Sequence, residues 1–135
     1  MASKRSVAAA GLLDTALAAG CAMLISANLA AAAPPAVSFS KNVYPIFRDN
    51  CVSCHHQSGE GYQKSGLDLS SYEGVMAGTK YGPTIVPGNA EASNLMWLLD
   101  WRASEQLRMP HNRGQLPAKF RDTIRQWIQQ GAKNN

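Results

Sequence analysis

The chain has 135 residues, with 13 basic and 9 acidic side chains, a net charge of +4 and three cysteines. That length accommodates one modest domain and excludes several independent cores. There is no internal repeat, low-complexity tract or nucleotide-binding glycine loop, and no nucleic-acid partner is expected.

Residues 1–33 are rich in Ala, Leu, Gly and Ser, with Lys4 and Arg5 near the start and small residues at Ala30 to Ala33. A positive beginning, an apolar stretch and an Ala-rich end describe a secretory signal, so the expected domain is 34–135 and the expected location the periplasm. Asp14 interrupts the apolar run. The alternatives, in falling order, are retention as an inner-membrane anchor facing the periplasm and a lipoprotein attached at Cys21 in Ala18-Ala19-Gly20-Cys21. The apolar residues after Cys21 weigh against the lipoprotein. Membrane contact is expected only if this segment is retained.

Beyond Pro34-Pro35, Ser40 is the predicted cap of a first helix running to about Asn50, with Val43, Phe47 and Cys51 spaced i, i+4, i+8 along one side. Pro45 removes a donor within the first turn, so an irregular beginning is expected. This helix leads into Cys51-Val52-Ser53-Cys54-His55, a C-x-x-C-H, the attachment sequence of c-type haem. Two thiols about one helical turn apart can add to the two vinyl groups of a porphyrin, and the adjoining imidazole can reach the iron as proximal ligand. A covalent haem c would also be the staple that a domain this small needs.

Gln57 to Ser65 reads as a polar loop. Leu67 and Leu69 alternate, and Ser70 or Ser71 caps a short helix through Met76. Gly78, Gly82, Pro83, Pro87 and Gly88 mark an irregular stretch. Asn89 or Ser93 begins a third helix with Leu95, Leu98, Leu99 and Trp101 on its apolar side, and Ser104 to Gln115 is a loop. Pro117 suits a first helical position, and Phe120, Ile124, Trp127 and Ile128 keep helical spacing up to Gly131 as the stop. The predicted fold is all-α: about four helices and long loops wrapped around one haem.

The distal axial position has three methionine candidates. Met96 and Met76 fall in helical patterns and read as core. Met109 lies in a polar loop between Arg108 and Pro110, with no packing role apparent from the pattern, and is the expected distal ligand; a thioether there favours the reduced iron. His111, two residues on, is its competitor. His56 follows the proximal histidine directly and cannot easily reach the opposite face. Trp97, Trp101 and Arg102 are weaker candidates for contacts to a haem propionate, and Gly82-Pro83 for a carbonyl facing the second nitrogen of His55.

Charge is distributed unevenly. From Leu98 onward the chain carries +4, with Arg102, Arg108, Arg113, Lys119, Arg121, Arg125 and Lys133 opposed by Asp100, Glu105 and Asp122; residues 34–97 carry −1. Such asymmetry suits a docking face for an acidic redox partner, and equally suits a solvated helix surface.

With these residues in hand, the chain resembles the small monohaem, class I-like cytochrome c domains of planctomycete type. The matching elements are FSKNVYPIF at 39–47, CVSCH at 51–55, SGLDL at 65–69, GPTIVPG at 82–88 with Ser93, Met109-Pro110, and RQWIQQGA at 125–132. The resemblance implies Cys51 and Cys54 as thioether sites, His55 proximal and Met109 distal, and first and last helices packed together. One departure is His56, where a glycine commonly follows the motif.

The leading expectation is therefore a periplasmic carrier of single electrons between partner proteins such as a dehydrogenase and an oxidase or reductase, not an enzyme. A small haem peroxidase or gas-binding sensor with a labile distal ligand is the alternative, with His111 as the nearby acid or base. Zinc binding or a dithiol redox pair at Cys51 and Cys54 are minor readings: the first lacks a second ligand pair, the second a βαβ setting.

Overall fold

A computed structural model describes residues 34–135; the secretory segment expected at 1–33 lies outside the described residues. The chain begins with a π-helical turn, Phe39–Val43, that runs into α1 (Tyr44–Asn50). Then come α2 (Glu60–Ser65), α3 (Tyr72–Ala77), α4 (Asn94–Leu99), a 3-10 turn (Glu105–Leu107) and α5 (Ala118–Gln129). Among the described residues there is no strand, only an isolated bridge between Thr79 and Gly82, so the fold is all-α. No helix among them is long and apolar enough to cross a membrane.

Proline accounts for the irregular entry to the first helix. Pro45 has no N–H to give, and the preceding turn is wound to the wider pitch, with Val43 N–H donating to Ser38 O at 3.3 Å and Tyr44 N–H to Phe39 O. The cap is Ser38, whose Oγ accepts from Lys41 N–H, rather than Ser40. Ser40 instead donates to the Asn135 carbonyl at 2.8 Å and fastens the start of the domain to its end.

That fastening closes the core. Phe39, Val43 and Phe47 on the first helical segment and Ile124, Trp127 and Ile128 on α5 are all buried. Phe39 lies 5.4 Å from the Trp127 ring and meets Tyr72 edge-on at 5.2 Å. The first and last helical segments pack together, as the family resemblance implied. Helix α5 starts one residue later than expected, with Pro117 as its cap, and stops at Gly131, whose φ is +98°.

Two further departures matter for the site. Residues 60–65, expected in a loop, form α2: the segment is polar because it lies on the surface, and its hydrophobic periodicity is too weak to announce a helix. Helix α4 begins after Ser93, but the Ser93 hydroxyl does not cap it. Fully buried, it accepts from Val86 N–H at 2.9 Å and donates to Asn89 O at 2.7 Å, pinning the Pro87-Gly88 loop to the helix.

Candidate haem site

The C-x-x-C-H segment continues the winding of α1. Cys51 N–H donates to Phe47 O at 2.8 Å, then Cys54 N–H and His55 N–H both donate to Cys51 O, at 3.1 and 3.0 Å. Because Phe47 is buried, the turn begins from a fixed point. Cys51 is half-buried against the core and Cys54 is exposed, and both are free thiols. Burial pushes the Cys51 thiol up to about 12, with the Arg113 guanidinium opposing that rise and the Cys54 thiol adding to it. The Arg113 interaction places the loop after Met109 beside the motif.

The imidazole of His55 is buried, 9% exposed, with Nδ1 3.4 Å from the carbonyl oxygen of Leu67. A carbonyl only accepts, so Nδ1 carries the proton and Nε2 keeps its lone pair for a metal. Burial lowers the pKa of this histidine, and the hydrogen bond to Leu67 opposes the shift only in part, so the ring is neutral near pH 7. The carbonyl that orients His55 is thus Leu67's, not one from Gly82-Pro83: the Gly82 oxygen accepts from Thr79 N–H and Oγ1. Leu69 N–H donates to His55 O at 2.8 Å, so the alternating leucines serve as a strap beneath His55.

Helix α2 packs on the same turn, with Tyr62 N–H on Cys54 O at 3.1 Å, and this approach requires glycine. A Cβ at Gly59 would overlap the Cys54 carbonyl oxygen and lie 2.7 Å from its carbon. One at Gly61 would stand 2.9 Å from Cε1 and Nε2 of His55. The bare Gly61 therefore leaves the metal-binding edge of the imidazole clear. His56, standing where glycine is common, has no positive φ. Its ring turns to Ser58, with Nδ1 3.1 Å from the hydroxyl.

Met109 is half-buried against the core, in irregular chain. Its N–H donates to Leu98 O at 3.2 Å and its carbonyl accepts from the indole N–H of Trp101 at 3.0 Å. Trp101 has φ of +59°, a left-handed conformation that costs a bulky residue about 1–3 kcal/mol. His111 is exposed. The Glu60 carboxyl is held below its usual range by its hydrogen bond and charge interaction with Lys64, with a smaller contribution from His111, which sets the loop after Met109 alongside α2.

The remaining candidates divide. Pro83 and Trp97 line one cleft of about 410 Å³ together with Thr84, Leu98 and Leu107, and the buried Thr84 hydroxyl there has no hydrogen-bond partner. Trp97, however, donates its indole N–H to Glu91 O at 3.2 Å. Arg102 pairs with the Glu91 carboxylate at 2.8 Å and stacks on Trp97 at 4.7 Å. The three donors expected at a propionate thus face protein acceptors.

Behind them, Asp100 receives Arg121 at 2.7 Å and Arg125 at 2.5 Å, and Arg125 also reaches Glu91 at 2.8 Å. Burial acts to raise the Asp100 pKa, but the hydrogen bonds from Arg125 and Arg121 outweigh it and hold the carboxyl below its ordinary value. Two basic side chains of the C-terminal third, Arg121 and Arg125, therefore tie the end of α4 to α5, and a third, Arg102, is engaged by Glu91.

Two thiols on one turn, a neutral imidazole with Nδ1 already bonded, and glycine at its open edge fit a covalently attached haem. They do not make a zinc cluster: among the described residues no group of three or more His, Cys, Asp or Glu is gathered to hold a metal ion. Comparison with known proteins agrees. The family model described as planctomycete cytochrome C matches residues 51–112, from the first cysteine of the motif to just past Met109-Pro110. No curated protein and no solved structure matches the chain.

Proposed function

We propose, on the premise that the chain carries the haem c of a planctomycete-type cytochrome c, that it is an exported carrier of single electrons with one haem, ligated by His55 and Met109. The observation that carries the reading is the His55 geometry: Nδ1 bonded to Leu67 O, Nε2 unprotonated beside Gly61, and both thiols on the same turn. Bound there, the haem supplies a one-electron iron couple.

Cys51 and Cys54 would hold the group covalently, and His55 would be a neutral donor strengthened by its bond to Leu67. Met109, as a soft thioether in the distal position, would favour the reduced state and close that position to small ligands, so no turnover is expected. Residues 1–33 would direct export to the compartment where such attachment occurs. For docking, Arg108, Arg113, Lys119 and Lys133 are the basic side chains of the C-terminal third that make no ion pair within 4.0 Å among the described residues; they would steer an acidic partner protein.

The test is visible absorption of the exported protein, ferric and ferrous, with and without carbon monoxide, beside Met109→Ala. A weak long-wavelength band in the ferric protein that vanishes in the variant, and a wild type inert to carbon monoxide, is the expected result. Ready carbon monoxide binding by the wild type would overturn the closed-carrier reading in favour of a sensor or peroxidase.

A further inference from the structure

We propose that Trp101 is a positioning residue for Met109, clamping its peptide against the end of α4 and so setting how firmly the thioether stays on the iron; this rests on the Met109 ligation proposed above. Met109 sits in irregular chain, and its backbone has two anchors. Its N–H donates to Leu98 O at 3.2 Å, and its carbonyl accepts from Trp101 Nε1 at 3.0 Å. The Trp101 N–H also goes to Leu98 O, at 3.3 Å, so one helix terminus organises both residues.

The conformation of Trp101 points the same way. A β-substituted, bulky residue at φ +59° is unfavourable, and such strain persists only where the surroundings over-determine it. Core packing does not explain it, since Trp101 is only half-buried, in contrast to the fully buried Trp127. What the strained turn achieves is the indole's hydrogen bond to Met109, with the Arg108 guanidinium 5.5 Å over the same ring. The preceding residue, Asp100, is tied to α5 by Arg121 and Arg125, so the clamp stands on a fixed base.

Trp101→Phe removes the indole N–H and keeps an aromatic ring. Tyr72→Phe, which removes a comparable bond from a side chain to the Ala132 carbonyl (2.8 Å), controls for general loosening. In the holoprotein, Trp101→Phe is expected to lose the long-wavelength ferric band at a lower temperature. It should also bind imidazole in the ferric state roughly five- to tenfold more readily, the size of one net hydrogen bond, and show a lower reduction potential. Tyr72→Phe should match the wild type in all three.

As a measurement that needs no variant, displacing Met109 from the ferric wild type with excess imidazole should shift the Trp101 indole N–H resonance and leave that of Trp127 in place. The proposal is overturned if Trp101→Phe matches the wild type, if Tyr72→Phe changes the band equally, or if the Trp101 resonance stays put on displacement. A wild type with no such band, or a band indifferent to Met109→Ala, is a separate result: it removes the ligation itself, and the clamp with it.

Discussion

The two sides of the site are built differently. On the proximal side, the cysteines and His55 are wound by successive backbone hydrogen bonds onto the end of α1, and α2 and the Leu67–Leu69 strap then add their own. On the side proposed as distal, Met109 has two backbone anchors, one of them a side chain in a strained conformation, and both depend on how α4 is held against α5. A ligand fixed by its own helical turn stays in register even when distant contacts loosen. One fixed by a few tertiary bonds opens when any of them fails. Of the two proposed ligands, Met109 is therefore the one expected to exchange.

The largest effect should come from disturbing the proximal turn. Gly59→Ala drives a methyl into the Cys54 carbonyl, and backbone cannot yield as a flexible side chain does. The expected cost is about 3 kcal/mol, with a sharp fall in haem attachment; denaturant unfolding and the haem-to-protein absorbance ratio measure both. A stable, fully loaded variant would mean that α2 is loosely placed and the contrast overstated.

Next comes the base of the distal side. Asp100→Asn leaves Arg121 and Arg125 facing a weaker acceptor and should cost about 2 kcal/mol at pH 7, the size of a hydrogen bond to a charged group. Because the folded carboxyl is held below its ordinary pKa, the ion pairs contribute fully above that ordinary value and fade as pH falls through the depressed one. The gap between wild type and variant should therefore narrow on acidification below about pH 4, which urea titrations at several pH values would reveal. A constant gap would remove the ion pairs from the account.

Smaller still is Gln115→Ala, which frees the Leu99 carbonyl near the end of α4, now bonded by Gln115 Nε2 at 3.2 Å. About 1 kcal/mol is expected, together with faster exchange of the proposed Met109 ligand but unchanged haem attachment. Changed attachment instead would show that the two sides are coupled. At the bottom of the scale, Lys64→Ala breaks the exposed pair with Glu60 on α2 and should leave the unfolding midpoint where it was.

Much of this was readable in advance, and the exceptions are consistent. C-x-x-C-H announces its chemistry because two thiols and an imidazole must lie on one turn, a purely local demand. The stripe Phe120, Ile124, Trp127 and Ile128 announces α5 because burial on one helix face leaves a period, and Pro45 foretold the irregular first turn. Helix α2 left no such mark: its contribution is backbone, with bare glycines at 59 and 61 meeting Cys54 and His55. Two glycines spaced one residue apart just after the motif were the available signal, and they read equally well as a loop.

By itself, then, the sequence determined the thiol and imidazole motif, the helical class and the candidate pair of ligands, because each is written in residue type and short-range spacing. Only the tertiary structure decided which partners those residues take. Leu67 rather than Gly82-Pro83 supplies the carbonyl facing His55. The indole of Trp101 turns to Met109, and Arg102, Arg121 and Arg125 are engaged by Glu91 and Asp100. Hydrogen-bond donors and charges are satisfied by whatever the fold brings within about 3.5 Å, and over separations of about eight or more residues no local pattern encodes that choice.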